Sequence, residues 1–121
     1  MGSPTNSYIR PKPNYDREPA NTYTGSADAL DISRGDLHIL NRDGGVNAAT
    51  LADPADTDEG RVIWILNGAA QANTITITNG LGGSGGSYDV LTFTNVTAAN
   101  VTLRAYNAKW YLVGNHLCSV A

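Results

Sequence analysis

The feature that most constrains this chain is a run of short alternating segments between residues 61 and 113: VIWIL, TITIT, VLTFT, VTLRA and KWYLV. Apolar side chains recur there at every second position, the period of a strand, and no window of helical period rivals them. Residues 1–28 are unlike this. They are polar and hold four of the five prolines, at Pro4, Pro11, Pro13 and Pro19. Proline fixes φ and removes a backbone donor, so this stretch favours extended or polyproline-II backbone and has too few aliphatics to fold alone. The chain thus divides into an extended N-terminal arm, residues 1–28, and a β-domain, residues 29–121.

Within the domain, ALDIS (29–33) precedes a turn at Arg34-Gly35-Asp36 and then LHIL (37–40). Asp43-Gly44-Gly45 is a strong turn signal ahead of VNAATLA (46–52). In VIWIL, Val62, Trp64 and Leu66 point one way and Ile63 and Ile65 the other, so this strand reads as buried on both faces. Leu91, Phe93, Val101 and Leu103 continue the inward set, and Asn107-Ala108 makes a tight turn into Lys109-Trp110-Tyr111. The expected fold is all-β: a small antiparallel β-sandwich or barrel-like roll of about seven or eight strands.

Length and charge narrow the function. A domain of roughly 90 residues has a thin core and often gains stability by oligomerising. The net charge of −3 is uneven: residues 1–60 carry ten acids and five bases, residues 61–121 one acid and three bases. Neither half clusters Lys and Arg as a nucleic-acid surface does, so no nucleic-acid partner is expected. The lone Cys118 forms no internal disulfide. No signal peptide and no apolar run of membrane-helix length are evident, which points to a soluble protein made in a cytoplasm, with no membrane partner.

Chemistry-bearing motifs are sparse. His38 and His116 lack Cys or His at ligand spacing, so neither is expected to bind metal or act in catalysis. Asp53, Asp56, Asp58 and Glu59 miss the calcium-loop pattern and read as a solvated acidic loop, or as one that meets a basic patch on a neighbour. The glycine-rich loop 80–87 lacks the Lys-Ser/Thr and the helix of a phosphate cradle and reads as a hairpin loop. Arg34-Gly35-Asp36 is ordinary turn chemistry. Cys118 reads as a small buried residue near the terminus. No enzyme is expected and no cofactor; a polysaccharide-active enzyme would need paired carboxylates, and the later half offers only Asp89.

One order of segments is more specific. Gly60-Arg61-Val62-Ile63-Trp64-Ile65, the threonine-alternating run 74–78, Val101-Thr102-Leu103 and Ala108-Lys109-Trp110-Tyr111-Leu112-Val113-Gly114 together resemble a small β-module of tailed bacteriophages. That module occurs in tail fibres and in head decoration (cement) or head-fibre proteins, and the resemblance covers roughly residues 37–115. It implies a homotrimeric structural protein of the virion, made in the host cytoplasm. A short chain with no repeats or coiled coil fits a cement protein on the capsid surface better than a fibre. Its partner would be the major capsid protein, clasped through the arm residues Tyr8, Arg10, Lys12, Tyr15, Arg17 and Tyr23, since tyrosine and arginine suit protein interfaces. Trp64, Phe93 and Trp110 would anchor the core or the threefold contact. The alternative is a receptor- or glycan-binding fibre tip, with Tyr88 or Tyr111 stacking on sugar rings.

Overall fold

The computed structural model describes residues 20–33, 35–83 and 88–121. The alternating segments become nine strands: β1 (Asn21–Tyr23), β2 (Leu37–Leu40), β3 (Ala48–Leu51), β4 (Val62–Asn67), β5 (Thr74–Ile77), β6 (Val90–Phe93), β7 (Asn100–Tyr106), β8 (Lys109–His116) and β9 (Cys118–Val120). Five form one sheet, in the order β1-β2-β4-β7-β8, and four form the other, β3-β5-β6-β9. The inward side chains of the two sheets make one core, in which Ile63, Ile65, Ile75, Ile77, Leu91, Val101 and Leu103 are fully buried. Each such side chain contributes on the order of 1.5–3 kcal/mol of transfer free energy. The all-β sandwich is the fold that the strand period predicts.

The sheets are mixed rather than purely antiparallel. β1 with β2, β2 with β4, and β3 with β5 pair in parallel; the other four pairings are antiparallel. The cause is the path of the chain. From β2 to β5 the strands alternate between sheets, and between β1 and β2 the chain crosses to β3 at the Ala29–Thr50 bridge, so it winds around the core and strands one turn apart run the same way. The Asp43-Gly44-Gly45 turn therefore makes no hairpin: it sends the chain from β2 in one sheet to β3 in the other. ALDIS forms no strand: its backbone meets the second sheet at the isolated bridge Ala29–Thr50, and Leu30 is buried in the core.

The boundary between arm and domain also moves. Residues 21–23, assigned from the sequence to the arm, are the edge strand of the five-stranded sheet. Residues 26–30 then line β3, with Ala48 and Thr50 N–H donating to Ser26 and Asp28 carbonyls and Leu30 N–H donating to the Thr50 carbonyl. This stretch ties the two sheets along one side. On the opposite side, Leu117 (φ 57°) turns the chain from β8 straight into β9.

Between β7 and β8, Asn107 and Ala108 both take positive φ, 51° and 63°, as a two-residue hairpin turn of the primed type requires.

One end of the sandwich is closed by buried amides. Asn73 Oδ1 accepts the Asn47 N–H at 2.7 Å, and Asn73 Nδ2 donates to Asn67 Oδ1 at 2.5 Å. Asn67 Nδ2 in turn donates to the Gln71 and Val96 carbonyls, and Asn47 Nδ2 to Asp28 Oδ2. All three asparagines are fully buried. Their polar atoms are satisfied by one another and by the loops they pin.

Candidate interaction surface

In a sheet, side chains of paired residues project to the same side, so the registers define the rows of the outer face. Leu37, Trp64 and Thr102 form one row. Ile39, Leu66 and Asn100 form the next, and Val62, Arg104 and Tyr111 lie beyond Trp64. Leu37 is 39 % and Trp64 46 % exposed, while Ile39, Val62 and Leu66 are half-buried. The outer face of the five-stranded sheet thus carries a contiguous apolar strip across β2 and β4. Its charged members are cations: Arg104, and Lys109 beside Tyr106.

Trp64 is therefore no core residue. β4 is fully buried on its Ile63–Ile65 side, while on the other side Trp64 is exposed and Val62 and Leu66 are half-buried. Phe93 and Trp110 lie in the core at 1 % and 0 % exposure. The Trp110 indole Nε1–H donates to the Ala52 carbonyl at 2.8 Å, as a buried indole requires.

A second aromatic group stands at the β7–β8 end, where Tyr106 and Tyr111 meet edge-on with centroids 5.7 Å apart. The glycine loop shapes it: a Cβ on Gly82 would fall 2.3–2.8 Å from the Tyr111 ring. Gly82 N–H donates to the Trp110 carbonyl, and Lys109 Nζ donates to the Asn79 carbonyl. Tyr106 is 60 % and Tyr88 46 % exposed. Residues 84–87 of that loop lie outside the described residues.

Of the arm residues singled out from the sequence, Tyr8, Arg10, Lys12, Tyr15 and Arg17 lie outside the described residues. Tyr23 does not hang free as an arm contact. It packs against the core, stacks on His38 with centroids 5.8 Å apart, and its hydroxyl bonds His38 Nδ1 at 2.9 Å and accepts the Asp31 N–H at 2.9 Å. β1 leaves Ala20 at the edge of the same sheet that bears the apolar strip.

The remaining polar motifs disperse into structural bonds. Asp53 accepts from Asn79, Asp58 from the Ala55 N–H and Arg61, and Glu59 from the Asn107 N–H at the β7–β8 turn. Their carboxylates thus serve separate partners, and among the described residues no group of three or more His, Cys, Asp or Glu is placed to hold a metal ion. Arg61 also binds Asp36 at 3.0 Å and the Gly35 carbonyl at 2.8 Å, which fixes the turn before β2; Arg34 lies outside the described residues. His38 is buried in β2 and His116 exposed in β8. Cys118 belongs to β9 and is half-buried; burial pushes its thiol up to about 11. No helix among the described residues is long and apolar enough to cross a membrane.

Sequence reasoning missed two features of this surface. The uncovered side of β4 was hidden because a doubly apolar strand looks the same whether its second face meets its own core or a partner. The tie between Tyr23 and His38 carries no sequence signal, because the two residues are brought together only by parallel pairing of β1 with β2. No protein-family model matches the chain, and no curated protein matches it.

Proposed function

We propose that this chain is a structural protein of a virus particle: a capsid decoration protein, homotrimeric, that binds the outside of a phage head and stabilises it. The observation that supports this reading best is the outward apolar strip Leu37–Ile39–Val62–Trp64–Leu66, with Leu37 and Trp64 exposed, on the sheet whose edge strand leads back to residues 1–19. Apolar surface of this kind gains about 25 cal/mol per Å² when it is covered, and aromatic anchors dominate such contacts. In this reading the strip packs against neighbouring protomers, and residues 1–19 reach the major capsid protein from the sheet edge. Contacts made only on the assembled shell stabilise that shell by mass action.

The test is a deletion of residues 2–19, which spares β1, combined with mass spectrometry of purified virions after heads are separated from tails. The expected result is many copies on heads, and a shortened chain that still forms trimers but binds capsids at least tenfold more weakly. Undiminished binding of the shortened chain refutes the arm's role. Absence of the chain from both heads and tails refutes the virion reading.

The exposed Trp64 and the Tyr106–Tyr111 pair support a second reading, a glycan-binding fibre tip, because aromatic faces stack on sugar rings. A few copies on tails, with saturable glycan binding lost in Trp64→Ala or Tyr111→Ala, would favour it.

A further inference from the structure

β1 is a weakly held edge. It has three residues, paired on one side only, to β2, with the Tyr23 carbonyl accepting the Asn41 N–H at 2.9 Å. Its Tyr23 side chain packs against the core and is seated on a histidine. His38 is fully buried, and its Nε2 has no hydrogen-bond partner. The Tyr23 hydroxyl bonds His38 Nδ1 and also accepts the Asp31 N–H, which ties the ring to β1 and to the loop that follows it.

We propose that the Tyr23–His38 contact is a proton-operated latch, closed when His38 is neutral, that fastens β1 and the root of residues 1–19 to the five-stranded sheet. Protonation puts a charge on a ring that has no exposure to solvent. The groups facing the ring are Arg61, Asp31, Asp36 and the Gly35 backbone, which favours the imidazolium. Arg61, before β4, repels the imidazolium; Asp31 and Asp36 attract it, but Asp36 is already bound to Arg61. Burial, with Asp31 and Asp28 nearby, disfavours ionisation of the Tyr23 hydroxyl. Burial, then Arg61, hold the His38 pKa below its ordinary 6.5. Lifting β1 exposes the ring to water and removes the burial penalty. A proton therefore binds the open form more tightly than the closed one, and acid opens the latch.

The sign follows from the lowered value. Above pH 6.5 both forms are neutral and the latch is fully closed; as pH falls below that value, the open form gains its proton first. For one proton the opening equilibrium rises by up to about tenfold per pH unit until the closed form also titrates. The latch stands whatever residues 1–19 bind, so its failure and that of the virion reading are separate results.

The experiment is hydrogen exchange on the full chain at pH 7.5 and 5.5, corrected for intrinsic exchange rates, with an NMR titration of the His38 ring. Expected are faster opening of residues 21–23 at the lower pH, unchanged protection in β4 and β7, and a His38 midpoint below 6.5. His38→Gln should abolish the pH dependence. Tyr23→Phe, which keeps the ring and removes the hydroxyl, should loosen β1 at pH 7.5. Equal corrected opening at both pH values overturns the proposal, as does an unchanged pH slope in His38→Gln. If His38→Gln does not fold, the wild-type titration decides alone: a midpoint at or above 6.5 overturns the latch.

Discussion

Replacing Asn73 by alanine should destabilise the domain more than any surface change, and the size of the effect can be built from its bonds. Asn73 satisfies the backbone N–H of Asn47 and the side-chain oxygen of Asn67, both in residues with no exposure. Truncation leaves one buried donor and one buried acceptor unpaired, at about 1–3 kcal/mol each. The total is about 2–6 kcal/mol, from a domain whose whole stability is on the order of 5–15 kcal/mol. Urea unfolding followed by tryptophan fluorescence measures it. With m near ~1–3 kcal/mol/M, a loss of about 3 kcal/mol lowers the midpoint by roughly 1–3 M. Asn100→Ala is the control, since its amide bonds the Ala98 carbonyl at an exposed site; it should stay within about 0.5 kcal/mol. If Asn73→Ala matches Asn100→Ala, the amide network contributes nothing to stability and the reasoning fails. A double cycle with Asn67→Ala should show coupling of about 0.5–3 kcal/mol, and strict additivity would mean that the two amides do not act together.

Ala108→Gly should stabilise the β7–β8 hairpin by about 0.5–1 kcal/mol, because alanine at φ 63° bears a strain that glycine does not; an unchanged urea midpoint would count against the turn geometry. Gly82→Ala should displace the Tyr111 ring and alter the Tyr106–Tyr111 pair, visible as shifted aromatic NMR resonances with little loss of Trp110 burial. Cys118, with its thiol raised from 9.0 to about 11, should alkylate at pH 8 about 100-fold more slowly folded than unfolded, since only the thiolate reacts; equal rates would show that the thiol is not shielded. The same shift makes stability fall as pH rises from 9 towards 11, because the unfolded thiol ionises first and the folded one only near its raised value.

The strand positions were legible because alternation is written residue by residue. LHIL is β2 as read, and VIWIL, TITIT, VLTFT, VTLRA and KWYLV each fall within or beside their strands. Strand direction was not legible, since a period of two reports which side a residue faces and nothing about which way its neighbour runs. The coil from β1 to β5, and with it the parallel pairing, depends on turns that look like hairpin turns in isolation. The asparagines were equally opaque. Asn47, Asn67 and Asn73 stand at strand ends where asparagine is common turn chemistry, and the bonds that bury them join residues 26 and 6 positions apart.

The outer face of β4 shows how a misread position becomes informative. A strand with apolar residues on both sides has two physical outcomes: a layer of its own chain covers the second side, or something else does. Among the described residues no layer covers Trp64, and its neighbours across the rungs, Leu37 on β2 and Thr102 on β7, are no larger obstacle to a partner than a flat sheet. The tetrapeptide LHIL then serves two purposes at once. Leu37 and Ile39 extend the outward strip, while His38 and Leu40 face inward, one holding Tyr23 and the other filling the core. A partner seated on the strip binds only the folded sheet, so its binding free energy adds to the stability of the strand against which β1 closes. One four-residue strand thus carries both the exposed Leu37 of the outward strip and the inward seat of β1.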